Sequence, residues 1–98
     1  MTMRRPPDFV RMACTTASVS YREWLTENEL IEALLTGEAP ERRAAHLCTL
    51  LEEAPEAILL GLVEQLSASH SREQIEENIL KIAIALQVDN RVRRILRC

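Results

Sequence analysis

The chain has 98 residues, 47% hydrophobic and 28% charged, with a formal net charge of −3; such a balance excludes a disordered polar tail and fits one globular domain. Phe9, Tyr21 and Trp24 are the only aromatic residues, so a core has to be assembled from Leu, Ile, Val and Ala. Charge is uneven: +2 over residues 1–15 and +3 over residues 88–98 leave −8 between them, which argues against a protein that coats nucleic acid along its whole surface.

Pro6 and Pro7 disfavour helix just before them, so residues 1–7 read as a flexible segment ahead of a helical domain over 8–98. Asp8 is placed to cap a short helix through Ala13, with Thr15-Thr16-Ala17-Ser18 as a weak stop. Ser20-x-x-Glu23 has the form of a capping box, with Val19 and Trp24 at the two staple positions. Thr26-x-x-Glu29 repeats the signal six residues later, flanked by Leu25 and Leu30. Two readings follow: one helix from Tyr21 to Leu35, or a turn at 21–25 and a fresh helix over 27–36. Gly37 suits the position just past that helix.

Pro40 fits the first turn of the next helix, whose stripe is Ala44, Leu47, Cys48, Leu50 and Leu51. Pro55 opens another, from 55 to about 68. It is apolar nearly all round (Ile58, Leu59, Leu60, Leu62, Val63, Leu66), as a central helix is. Gly61 inside it costs roughly 1 kcal/mol relative to alanine and implies a close helix–helix approach. Ser71-x-x-Gln74 is a third box, opening a helix over 72–87. Asp89 or Asn90 then caps a last helix, Arg91 to Arg97. The fold predicted is all-α: a compact single-domain bundle of about five to six short helices.

Cys14, Cys48 and Cys98 are odd in number and widely spaced. That pattern makes no disulfide framework and points to a reducing, cytoplasmic compartment. The longest apolar runs, Ala57–Leu60 and Ile82–Leu86, fall far short of the roughly 20 residues that span a bilayer, so no membrane role is expected. His46, Cys48, Cys14 and His70 lack the tight CxxC or HxxxH pairs of zinc sites. No metal or cofactor is therefore expected, Cys48 belongs in the core, and both histidines belong on the surface. Carboxylates such as Glu27, Glu29, Glu52, Glu53, Glu73, Glu76 and Glu77 fall at helix starts and solvent faces. No Gly-rich phosphate loop, nucleophile elbow or HExxH is present. The expectation is a protein that is not an enzyme.

The helix over 72–87 carries the main functional clue. Ile75, Ile79, Ile82 and Leu86 share one side, while Leu80 and Ile84 fall nearly opposite. A chain this short has few helices to cover both sides, so one side is expected to meet a protein partner or a second copy in a homodimer. The interface expected comprises Leu80, Ile84 and Val88, rimmed by Arg91, Arg93, Arg94 and Arg97. The first functional expectation is a small interaction module: an adaptor, an anti-activator or a chaperone-like regulator. The alternatives are a nucleic-acid-binding transcriptional regulator using the terminal arginines, and a structural subunit of a helical assembly.

Overall fold

A computed structural model describes residues 8–96. They form six α-helices and, among the described residues, no strand. The expected flexibility of residues 1–7 lies outside this range, as do Arg97 and Cys98.

Helix α1 (Phe9–Ser18) starts at Asp8, whose Oδ1 accepts the Arg11 backbone N–H at 3.2 Å. It runs straight through the threonine pair that reads as a stop. Thr15 and Thr16 each donate a hydroxyl to the carbonyl four residues back, at 3.0 Å, which satisfies both side chains inside a helix. The opposite side buries Val10, Ala13, Cys14 and Ala17. These mostly small residues let α1 pack closely on the three α-helices that follow it.

The first capping box is not used. Residues 19–26 form turns and extended chain instead, so the reading with a fresh helix over 27–36 holds. Tertiary contacts outweigh the local signal. Ser18 Oγ accepts the Leu25 N–H at 2.8 Å, and Leu25 is wholly buried. Glu23, the expected box partner of Ser20, reaches away to Arg43. The staple fails with the box: Val19 is 79% exposed and Trp24 52%. Helix α2 (Glu27–Thr36) keeps the second box complete, with Thr26 and Glu29 each bonding the other's backbone N–H. It ends at Gly37, whose φ of +76° lets its N–H reach the Ala33 carbonyl at 2.8 Å.

One 3-10 turn, Glu41–Arg43, follows Pro40 and leads into α3 (Ala44–Glu53). Helix α4 (Glu56–Ser67) follows Pro55 directly. As its composition predicts, α4 is central, packing on α1, α5 and α6. Gly61 is the point of closest approach to α1: a Cβ there would fall on the Phe9 ring. Helix α5 (Arg72–Ala85) is capped by Ser71, whose Oγ accepts the Gln74 N–H at 3.4 Å. Asn78 then ties α5 to the end of α2, donating Nδ2–H to the Leu34 and Leu35 carbonyls at 2.8 and 3.1 Å.

Helix α5 stops two residues earlier than expected. Gln87 adopts φ +60°, and the Val88 N–H returns to the Ala83 carbonyl at 2.8 Å. This is a Schellman-type ending built without glycine. It reverses the chain before α6 (Asp89–Leu96), whose Val92 is buried in the shared core.

Candidate interaction surface

The two apolar sides of α5 meet different fates. Ile75, Ile79 and Ile82 are buried. Leu80 is half-buried against the edge of the core, and Ile84, one turn further on, is 49% exposed. Val88 does not join them. Extending the helix to residue 87 would place Val88 on the Leu80–Ile84 side. The turn at Gln87 swings it inward instead, leaving it only 8% exposed. The expected interface therefore loses Val88, for a reason of backbone geometry.

A shallow groove of about 260 Å³ is lined by Glu56 and Leu60 of α4, Arg72 and Glu76 of α5, and Ile95 and Leu96 of α6. It continues into an open depression of about 530 Å³ lined by Arg72, Glu73, Glu76, Glu77 and Leu80. Arg72 and Glu76 border both and are paired with each other at 3.0 Å. Leu60, Ile95 and Leu96 are half-buried and were not singled out in the sequence. With Arg72 and Glu76 of α5 they bring three helices to the groove. Periodicity within one helix does not reveal which side chains from three helices will share a trough.

The arginines do not form a free cationic face. Arg91 turns inward and donates to the Leu51 carbonyl at 3.0 Å and to the Ala54 carbonyl, satisfying backbone acceptors at the end of α3. Arg93 pairs with Asp89 at 2.8 Å, and that hydrogen bond, more than any other influence, holds the Asp89 carboxyl below its usual range. Arg94 is exposed but shares its depressions with Glu52, Glu53 and Glu56. Arg97 lies outside the described residues.

A second polar centre, missed in the sequence, sits between the 19–26 segment and α3. Arg43 is buried, with Nε 2.9 Å from Glu29 and Nη1 2.7 Å from Glu23. Glu29 also receives Arg42 at 3.0 Å. The Arg43 hydrogen bond, helped by bonds from Thr26 and opposed by burial, brings the Glu29 carboxyl from 4.5 to about 2. Glu29 is thus more than a solvent-facing dipole partner.

His46 corrects another expectation. It is buried rather than on the surface: its ring stacks on Tyr21 at 4.2 Å, and Nε2–H donates to the Glu23 carbonyl at 2.7 Å. Its Nδ1 has no hydrogen-bond partner among the described residues. The Tyr21 hydroxyl donates to the Ala45 carbonyl at 3.1 Å and lies 2.8 Å from the Thr49 hydroxyl. His46 is therefore part of how the 19–26 segment is held against α3. His70 is exposed, as expected.

Cys14 and Cys48 are free thiols, the first buried and the second half-buried. Burial, reinforced by Glu27, Asp8 and Glu29, pushes Cys14 up to about 11, and burial raises Cys48 as well. Both are thereby made poor nucleophiles near neutral pH. Among the described residues no cluster of three or more His, Cys, Asp or Glu side chains could hold a metal ion, and no helix is long and apolar enough to cross a membrane.

Compared with protein-family models, curated proteins and solved structures, the chain matches none.

Proposed function

We propose that this protein is a small interaction module that binds another protein through the groove between α4, α5 and α6. The observation that carries this reading is the uncovered side of α5. Ile84 is half exposed, and Leu80 is only partly covered and lines a depression that shares Arg72 and Glu76 with the trough bordered by Leu60, Ile95 and Leu96. Exposed apolar side chains with a charged border are a common form of protein contact. Such a module serves as an adaptor or regulator and performs no chemistry of its own. Its free thiols suit a reducing cytoplasm.

The alternative of phosphate binding by the terminal arginines receives less support. Arg91 serves backbone carbonyls, Arg93 serves Asp89, and Arg94 has carboxylates for neighbours. A patch that attracts nucleic acid needs unneutralised cations facing outward.

The test is affinity capture of the tagged protein from its native extract, with Ile84→Asp and Leu80→Asp as comparisons and nuclease as a control. The expected result is one nuclease-resistant partner at near-stoichiometric level, lost from both variants while their far-UV circular dichroism stays helical. A partner retained by both folded variants, or one that vanishes with nuclease, refutes the reading.

A further inference from the structure

We infer that the occupant of the groove is a basic amphipathic helix from a different protein, its apolar face bordered by lysine or arginine. The inference rests on the function proposed above and adds the chemistry of the partner.

Charge is the first ground. The lining carries Glu56, Glu73, Glu76 and Glu77 against a single cation, Arg72. Arg72 is taken up by Glu76 at 3.0 Å. Among the described residues, Glu73 and Glu77 make no ion pair, while Glu56 also borders a depression shared with Arg94. An apolar partner bordered by carboxylates meets repulsion here, whereas one bordered by lysine or arginine meets complementary charge. Rim pairs of this kind contribute only about 0.2–1 kcal/mol each, and their larger effect is on partner choice and association rate.

The shape of the site favours a helix over an extended strand. The described residues present no sheet edge on which a strand could add its hydrogen bonds. Three helices enclosing a trough instead offer side chains to anchors spaced i, i+3, i+4 and i+7.

The experiment uses the full chain and two labelled synthetic helical peptides of about 18 residues. Both carry leucine at the anchor positions; one has lysine at the flanking positions and its twin has glutamate. Anisotropy is read from about 20 mM to about 500 mM salt. The lysine peptide should bind at least about tenfold more tightly than its twin at low salt, and the preference should shrink as salt rises. The exposed pair Glu73→Lys/Glu77→Lys should erase most of that preference. Leu80→Asp should remove binding while circular dichroism stays helical.

Equal binding of the two peptides, lost in Leu80→Asp, overturns the charge assignment and leaves the interaction module standing. Lysine-peptide binding that is indifferent to Leu80→Asp overturns the groove as its site. Self-association in sedimentation that Leu80→Asp abolishes makes a second copy the occupant and overturns the heterotypic partner alone. Binding of neither peptide overturns the inference, and the capture experiment then decides separately whether the module reading survives.

Discussion

Asn78 fastens α5 to α2, and replacing it tests how the interaction surface is held in place. Its side chain is 5% exposed, and its amide donates to the Leu34 and Leu35 carbonyls at the end of α2. Asn78→Ala removes both bonds. The buried Leu34 carbonyl then costs about 1–2 kcal/mol, and the more accessible Leu35 carbonyl about 0.5, for a total of about 2 kcal/mol. Asn78→Asp costs about 3 kcal/mol at pH 7, because a carboxylate then faces carbonyl oxygens at hydrogen-bond distance. For a small domain that is a large share of total stability.

The two variants part company with pH. Burial raises the introduced carboxyl above its ordinary value of about 3.9, so the folded state prefers its protonated form. The deficit of Asn78→Asp is complete above that raised value and shrinks as pH falls toward about 3.9, where a protonated acid can donate one bond. The deficit of Asn78→Ala stays level over the same range. Urea unfolding followed by circular dichroism at several pH values measures both. A loss below about 0.5 kcal/mol for Asn78→Ala, or a pH-independent deficit for Asn78→Asp, would refute the anchoring role.

Two other expectations concern the polar and backbone features the sequence hides. Gln87→Gly should stabilise the chain by about 0.5–1 kcal/mol, since glycine adopts the φ of +60° without a Cβ clash; a lower urea midpoint would count against the strain. Glu29→Gln should lower stability at pH 7. The native carboxyl falls from 4.5 to about 2, so its stabilisation is full above pH 4.5 and lost as pH drops through 2. Parent and variant should converge toward pH 2, and a gap that stays constant from pH 7 to 2 would show that the charge of Glu29 is not the source of the stabilisation.

The all-helical fold was legible because several local signals agree. Thr26 with Glu29, Gly37, Pro55 and Ser71 mark helix ends where the hydrophobic period also starts or stops, and all of them do so in the structure. The apolar composition of α4 predicted its central place, and Gly61 its close contact. These features depend on residues within a turn or two of one another, so the order of the chain suffices to read them.

What only the tertiary structure decided involves residues far apart in the chain or a turn with no marker. Ser20-x-x-Glu23 is as good a box as Thr26-x-x-Glu29, yet Glu23 goes to Arg43, twenty residues on, and the helix does not form. Nothing in Gln87 announces a left-handed residue, yet that one torsion moves Val88 from the outer side of α5 into the core. The inward turn of Arg91 and the burial of His46 likewise depend on carbonyls 40 and 23 residues away. The groove itself is assembled from α4, α5 and α6. Helix periodicity states which side chains share a side of one helix, but a site shared by three helices is set by how they pack.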